Sequence, residues 1–269
     1  MKNFITRTLS GAVYVALIIA SILVSKYTFV AFFAVLLLIA MSETNRLIAD
    51  KGQKPAVALL DLLAGVSIFF ATFAVTNLDI SVKTAALCPM ILVMVRLVAG
   101  LYLKEDSAIL SWAKSFFNIC YVAVPMATLA YIYSIQPILA LIMLALIWIN
   151  DTGAFLVGCS IGKHRLFERI SPKKSWEGFF GGFVFCIAAG AAANLYFNEE
   201  SWLPWAVLGA VVSIAATLGD LIESLIKRTV GVKDSGNIMP GHGGILDRID
   251  SLLLVAPATL VYLLFLNLL

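Results

Sequence analysis

Nine apolar stretches, each near the length required to cross a lipid bilayer, dominate the sequence. They cover residues 9–25, 28–42, 56–77, 84–103, 116–134, 138–161, 178–197, 203–223 and 251–268. A transmembrane helix needs about 20 predominantly apolar residues, and in lipid its backbone polar groups must bond to one another. We therefore predict an all-α, polytopic integral membrane protein with about nine transmembrane helices. The second stretch is short, and we expect it to continue as a helix through the polar segment from Glu43 to Asp50.

The composition argues against a soluble domain. Of the 269 residues, 61% are hydrophobic and 13% are charged, whereas soluble domains carry about 25% charged residues. No basic run is interleaved with aromatic residues, so nucleic acid is not an expected partner. The four cysteines lack the spacing of a metal site or a redox pair, and we expect them to be buried as small apolar side chains.

The distribution of Lys and Arg predicts the orientation. The basic N-terminus is similar to a secretory signal, but no A-x-A-like cleavage site follows, so we expect a retained first transmembrane helix. With the N-terminus in the cytoplasm, all of the 19 Lys and Arg residues except Lys26, Lys83 and Arg96 lie on cytoplasmic segments, as the positive-inside rule requires. Nine spans then place the C-terminus outside, and the predicted location is the cell (inner) membrane.

The polar residues predict where function lies. Three long segments face the cytoplasm in this topology, namely Ser42–Pro55, Lys163–Glu177 and Lys227–Asp250, so we expect a polar cavity with the active site on that side. We predict a scaffold of transmembrane helices in residues 1–135 and a catalytic transmembrane region in residues 136–269. Asp61 and Arg96 are the polar exceptions in the scaffold, and each is either an interhelical contact or a catalytic residue.

Two polar groups lie in or beside the sixth stretch. Asn150 and Asp151 occupy its cytoplasmic half, where an ionised carboxylate costs several kcal/mol without a partner. They are therefore either functional or a structural pair, for example with Arg96.

Lys173 and Lys174 follow a proline and precede a helix start, which suits either anion binding at free backbone N–H groups or a positive-inside anchor.

The eighth stretch ends in a polar helical face. Asp220, Glu223 and Ser224 share that face at spacings of three and four residues. An intrahelical ion pair between Glu223 and Lys227 would explain Glu223, but it leaves Asp220, one turn deeper, unexplained.

A glycine turn precedes the last apolar stretch. Residues Gly241–Gly244 follow a proline, and we expect a turn whose N–H groups approach an oxygen-rich ligand. Asp247, Arg248 and Asp250 come next, and the two acids share a helical face, although Asp250 is also explained as a helix cap. Oxygen ligands without Cys or paired His favour Mg²⁺ over zinc. These residues predict a membrane-embedded, Mg²⁺-dependent enzyme of phosphoryl or nucleotidyl transfer, with one substrate from the cytosol and the other from the bilayer.

Two motifs resemble those of a known family. The pattern S-x-I-K-R-x4-K-D-x-G…P-x-H-G-G-I-x-D-R-I-D, residues Ser224–Asp250, resembles the signature of the phosphatidate cytidylyltransferases, also called CDP-diacylglycerol synthases. The pattern N-D-T-G-A-F…G-K…S-P-K-K-S-W-E-G, residues Asn150–Gly178, is similar to that family's second hallmark. Met239 departs from the Leu, Ile or Phe usual in the family, which is an apolar exchange.

The resemblance implies a reaction in which CTP and phosphatidate give CDP-diacylglycerol and pyrophosphate with one or two Mg²⁺ ions. It implies membrane lipids and a second copy of the chain as further partners. The expected catalytic residues are Asp220, Lys227, Arg228, His242, Asp247 and Arg248. The expected substrate-binding residues are Asn150, Lys173, Lys174, Ser224, Lys233, Gly243 and Gly244. The expected metal ligands are Asp220 and Asp247, with Asp151, Glu223 and Asp250 as further candidates.

Two other functions compete with this one. An anion transporter with Asp151 and Arg96 at a midplane site would show paired Gly/Pro interruptions in two related halves, and no such symmetry is present in the sequence. A membrane lipid kinase that uses CTP would release CDP in place of pyrophosphate.

Overall fold

The structure is a computed structural model that describes residues 2–49, 54–103, 107–238 and 243–266. Over these residues the chain is predominantly α-helical. The helices are α1 (Lys2–Val24), α2 (Lys26–Ile48), α3 (Pro55–Asn77), α4 (Val82–Tyr102), α5 (Ala108–Asn118), α6 (Val124–Ile135), α7 (Pro137–Ile161), α8 (Trp176–Phe197), α9 (Leu203–Thr229) and α10 (Leu246–Phe265). A π-helical segment, Ile119–Ala123, joins α5 and α6 into one 28-residue helix, Ala108–Ile135.

The predicted spans are present. Within the described ranges, eight helices are long and apolar enough to cross a membrane, and Leu9–Val24 in α1 is a shorter apolar helix. Together they correspond to the nine apolar stretches, and α2 continues to Ile48 as expected. The chain is therefore an all-α, polytopic integral membrane protein, while its orientation and a homodimer stay predictions.

Local sequence determines where several helices begin. Ser25, Ser81, Ser107 and Ser175 each precede a helix, and each hydroxyl accepts a hydrogen bond from the backbone N–H three residues later. Such caps satisfy an N–H group that has no partner inside the helix. The start of α8 is fixed in this way immediately after the Lys173–Lys174 pair.

The chain divides into two compact units. The first comprises residues 1–137 and 234–248, and the second comprises residues 138–233 and 249–269. The polar segment before α10 thus belongs to the first unit, and most of α10 belongs to the second. The functional division predicted at residues 135 and 136 is a separate matter and stays a prediction.

A buried ion pair joins three helices of the first unit. Arg96 Nε on α4 donates to Asp61 Oδ1 on α3 at 3.3 Å and to Ser115 Oγ on α5 at 2.9 Å. Arg96 Nη2 also donates to Ser111 Oγ. The arginine is 4% exposed and the aspartate 1%. Of the two explanations offered by the sequence, the interhelical contact is the one that the structure confirms.

A short hairpin between α7 and α8 belongs to the second unit and was not predicted from the sequence. Strand β1 (Arg165–Phe167) pairs antiparallel with β2 (Ser171–Ser175), with Arg165 opposite Ser175 and Phe167 opposite Ser171. The hairpin adds a small sheet to an otherwise helical fold, and β2 contains both Lys173 and Lys174.

The expectation that all four cysteines are buried is wrong. Cys186 is buried, but Cys88, Cys120 and Cys159 are exposed on the protein surface. In a soluble protein an apolar residue favours the interior, but in a transmembrane helix the outer face also meets an apolar solvent. Apolar sequence context therefore does not predict burial in this class of protein.

Candidate active site

A pocket of about 510 Å³ lies in the second unit between α7, the hairpin, α8 and α9. Its polar wall is formed by side chains from three of these elements. They are Asn150 and Asp151 from α7, Arg165, Lys173, Lys174 and Ser175 from the hairpin, and Thr217 and Asp220 from α9. Its apolar wall contains Phe155 and Phe179. The pocket therefore combines cations, carboxylates and apolar surface.

Lys174 and Asp220 form an ion pair in this pocket. Lys174 Nζ lies 2.5 Å from Asp220 Oδ2, and the two side chains are 26% and 34% exposed. The other carboxylate oxygen, Oδ1, accepts a hydrogen bond from Ser224 Oγ at 3.2 Å. Because both ions are accessible from the pocket, a ligand can exchange with either partner.

The hairpin that carries Lys174 is closed at its base by Glu177. The Glu177 carboxylate accepts hydrogen bonds from the backbone N–H of Lys163 at 3.1 Å and of His164 at 3.2 Å. It also lies 2.6 Å from His164 Nδ1, and Trp176 N donates to His164 O at 2.9 Å. These contacts fix the position of β2, and hence of its lysines, relative to the start of α8.

Asn150 connects α7 to α9. Its side chain is 2% exposed, and Oδ1 accepts a hydrogen bond from Ser213 Oγ at 2.6 Å. Its Nδ2 donates to Asp151 Oδ1 at 3.4 Å. Asn150, predicted to bind substrate, thus also orients a neighbouring carboxylate that lines the pocket.

Asp250 adds a further carboxylate to this group. The backbone of α10 approaches α9 closely there, because a Cβ on Gly219 would lie 2.8 Å from Asp250 O. Asp250 Oδ1 accepts a hydrogen bond from Ser251 N at 2.6 Å.

The remaining predicted residues of the second unit lie on or just after the last turns of α9. Glu223 and Lys227 form the intrahelical ion pair that the sequence offered as an alternative, in which Glu223 is 1% exposed, and their predicted roles as metal ligand and catalytic residue stay predictions. Arg228 Nη1 donates to Val232 O at 3.2 Å, and Lys233 is exposed. These cations follow the helix of Asp220, but none of them lines the pocket described above.

The polar segment of the first unit forms a separate cluster around Asp247. Asp247 Oδ2 accepts hydrogen bonds from Ser235 N at 3.0 Å, Ser235 Oγ at 2.9 Å and Gly244 N at 2.7 Å. The predicted glycine turn is supported at Gly243, whose φ of 81° is a left-handed conformation that favours glycine. The Gly244 N–H, predicted to contact substrate, donates here to Asp247. Arg248 is exposed.

The structure brings some predicted residues together and leaves others untested. Asp151, Lys173, Lys174 and Asp220 line one pocket of the second unit, and Asp250 lies beside Gly219 of α9. Asp247 and Gly244 lie together in the first unit, so the metal site that the sequence predicts from Asp220 and Asp247 stays a prediction. His242 lies outside the described residues. Across the part of the chain that is described, no group of three or more His, Cys, Asp or Glu side chains has a metal-binding arrangement, and the metal ligands also stay predictions.

Sequence reasoning missed Glu43. This buried residue of α2 accepts hydrogen bonds from Ile245 N and Leu246 N, and it shares the hydroxyl proton of Ser235 with Asp247. These partners lie 192 to 203 positions away in the chain. The available signal was a carboxylate at the end of an apolar helix, but nothing in one sequence pairs it with so distant a segment.

The fold and the pocket together define the class of protein. It is a polytopic helical membrane protein with a pocket that combines lysines, carboxylates and apolar surface. The chain matches the sequence model of the cytidylyltransferase family over residues 5–266, and it belongs to that family.

Three relatives are similar over a shorter region. The chain is 51% identical over 114 residues to the phosphatidate cytidylyltransferase of Staphylococcus aureus (strain COL), which is 42% of this chain and 44% of that protein. It is 48% identical over 113 residues to that of Staphylococcus haemolyticus and 46% identical over 113 residues to that of Staphylococcus saprophyticus, in each case 41% of this chain and 43% of the relative. The chain thus spans less than half the length of the relatives it matches.

Proposed function

We propose that this protein transfers the cytidylyl group of CTP to phosphatidate, giving CDP-diacylglycerol and pyrophosphate. Membership of the cytidylyltransferase family and the names of the staphylococcal relatives support the reaction class. The observation that carries the proposal is the Lys174–Asp220 ion pair, which lies in a pocket that also has an apolar wall. Such a pocket suits a phosphate group that is attached to a lipid.

The chemistry requires charge neutralisation more than proton transfer. A phosphate oxygen of phosphatidate forms a bond to the α-phosphorus of CTP, and the bond from that phosphorus to the bridging oxygen of the pyrophosphate group breaks. The nucleophile is already anionic near neutral pH, so no strong general base is needed. Repulsion between the two anions is the main obstacle, and Lys173 and Lys174 can reduce it from one wall of the pocket.

The ion pair also suggests how the pocket receives a phosphate. Lys174 and Asp220 neutralise each other at the wall of the pocket. When a phosphate enters, Lys174 can contact its oxygens, and Asp220 then becomes available to a cation that accompanies the nucleotide. The hairpin holds Lys174 in place for this exchange through its Glu177 contacts.

We propose Mg²⁺ as the cofactor. The donor set of the pocket fits, because Mg²⁺ is usually bound by one or two carboxylates together with substrate phosphates, and Asp220 and Asp151 line the pocket. These two residues would hold the ion. When bound, Mg²⁺ supplies positive charge to the phosphate oxygens.

CTP is a cytosolic nucleotide, and we propose that the pocket opens toward the cytoplasm. The hairpin segment Lys163–Glu177 contains five Lys and Arg residues, whereas the loop from Asn198 to Ser201 contains two Glu and neither Lys nor Arg. The positive-inside rule therefore supports a cytoplasmic hairpin and N-terminus, with the C-terminus outside.

The test is direct transfer of label. Purified protein in phosphatidate-containing micelles receives CTP labelled in the cytosine ring, with Mg²⁺ or with EDTA. We expect Mg²⁺-dependent transfer of label to the lipid phase with one pyrophosphate released per lipid product. Unlabelled lipid together with CDP release would indicate a lipid kinase, and no turnover at any lipid or metal concentration would contradict the proposal.

A further inference from the structure

Glu43 is a carboxylate in an unusual position. It lies near the end of α2, a helix that is otherwise mostly apolar, and its side chain is 1% exposed. Burial of a charged group is unfavourable unless hydrogen bonds or opposite charge compensate it. The contacts of Glu43 therefore indicate what this residue stabilises.

Two backbone N–H groups and one hydroxyl surround the carboxylate, and they come from the polar segment before α10 and from the first residue of α10. Ile245 N donates to Oε1 at 3.1 Å, and Leu246 N donates to Oε2 at 2.8 Å. Ser235 Oγ lies 3.1 Å from Oε2. The two N–H groups are at the start of α10, where a helix has free donors and attracts negative charge. Glu43 thus caps α10 from another helix.

Ser235 connects Glu43 to Asp247. Its hydroxyl lies 3.1 Å from Glu43 Oε2 and 2.9 Å from Asp247 Oδ2, and its backbone N–H donates to the same Asp247 oxygen at 3.0 Å. Asp247 Oδ2 also accepts from Gly244 N. Glu43 and Asp247 therefore hold Ser235 close to Gly244, Ile245 and Leu246.

Two glycines permit this approach. A Cβ on Gly236 would lie 2.9 Å from Glu43 Cδ and closer still to Oε1, and a Cβ on Gly244 would lie 2.5 Å from Glu43 Oε2. A larger residue at either position would displace the carboxylate or the loop. The loop is therefore shaped around Glu43, and the contact is not an incidental one.

We propose that Glu43 is a positioning residue for Asp247: it caps the start of α10 and, through Ser235, sets the orientation of that carboxylate. The effect of Glu43 on catalysis rests on the proposed function. Its effect on the structure rests only on the contacts within the first unit. The two consequences are tested separately.

The structural test is amide hydrogen exchange of the full chain in lipid nanodiscs. In Glu43→Gln, one acceptor oxygen becomes an NH₂ group that faces N–H donors. Peptides containing Ile245 and Leu246 should then exchange at least tenfold faster, because local opening becomes easier. Peptides from α3 should not change. Glu200→Gln, the same substitution at an exposed loop position, should exchange like the wild type. Unchanged exchange at residues 245 and 246, or faster exchange throughout the first unit, would overturn the proposal.

The functional test separates turnover from binding. We expect Glu43→Gln to reduce kcat about 10- to 100-fold, as loss of a residue that orients a metal ligand does, with less than a threefold change in KM for CTP. Ser235→Ala should reduce kcat as well. In the double variant kcat should fall by a smaller factor than the product of the two single-variant factors, because both residues act on Asp247. Wild-type kcat in Glu43→Gln, or a double loss equal to that product, contradicts the positioning role. A wild-type protein without transfer activity contradicts the proposed function instead, and hydrogen exchange then decides the role of Glu43.

Discussion

Lys174 and Asp220 hold opposite charges together at the wall of one pocket. Each side chain is partly exposed, so solvent screens the attraction and the pair contributes little to stability. The pair matters because of where it lies: it keeps a cation and a carboxylate at the wall of a pocket, and each charge is balanced by the other. Buried pairs such as Arg96–Asp61 serve a different purpose, because they connect helices and are not accessible to a ligand.

Replacement of Lys174 tests this role. Lys174→Met keeps most of the side-chain length but removes the charge, and we expect kcat/KM for cytidylyl transfer to fall about 100-fold, as for loss of a group that stabilises developing negative charge. The thermal unfolding midpoint should change by less than about 2 °C, because partly exposed ion pairs add little stability. Both quantities are measured on the detergent-solubilised protein.

Two further variants serve as controls for Lys174. Lys54→Met removes an exposed lysine that precedes α3 and should leave kcat/KM unchanged. Lys174→Arg retains the charge and should recover part of the activity, although the planar guanidinium group differs from an ammonium group in shape. Equal activity of Lys174→Met and Lys54→Met would show that the pocket lysine has no role in transfer.

At the level of the elements, close helix packing positions the pocket. Gly178, Gly182, Cys186 and Gly190 are buried and recur every fourth residue, so they form one face of α8. A Cβ on Gly190 would lie 3.2 Å from Gly209 Cα of α9 and would contact Trp205 O. Small residues at such an interface let two helices approach closely in a membrane. The packing places the hairpin end of α8 beside the part of α9 that carries Asp220.

Gly190→Val should separate α8 from α9. Because the obstruction is backbone, the helices must move apart, and we expect a loss of about 3 kcal/mol in the free energy of unfolding. Activity should decrease too, since Lys174 and Asp220 depend on this packing for their separation. Ala192→Val, at an exposed position of the same helix, is the matched control and should unfold like the wild type. An unchanged unfolding transition in Gly190→Val would mean that the interface tolerates the larger residue.

The elements differ in how far the sequence predicts them. The apolar stretches predicted the helices because a membrane span requires many consecutive apolar residues. The i, i+4 spacing likewise offered the Glu223–Lys227 pair as one of two explanations of Glu223, and the structure contains that pair. The hairpin was not predictable in this way, because its first strand has only three residues, Arg165–Phe167, and shows no useful periodicity.

The candidate site was predictable only where its residues are close in sequence or chemically distinctive. Lys173, Lys174 and Asp220 were identified from residue type and motif, and the structure places them in one pocket. Glu43 and Ser213 were missed, since their partners are distant in the chain and their roles depend on tertiary packing. Long-range hydrogen bonds leave no periodic pattern in a single sequence.

At the scale of the whole molecule, orientation in the membrane determines whether CTP can reach the pocket. The α8 helix separates the basic hairpin from the acidic loop that contains Glu200, so the two segments should lie on opposite sides of the bilayer. We expect Glu200→Cys, in a background with the native cysteines replaced by Ala, to react with a membrane-impermeant maleimide in intact cells. Glu168→Cys, in the hairpin segment, should react only after permeabilisation. The reverse labelling pattern would place the Lys174 pocket on the outer side and would contradict a cytosolic nucleotide as its substrate.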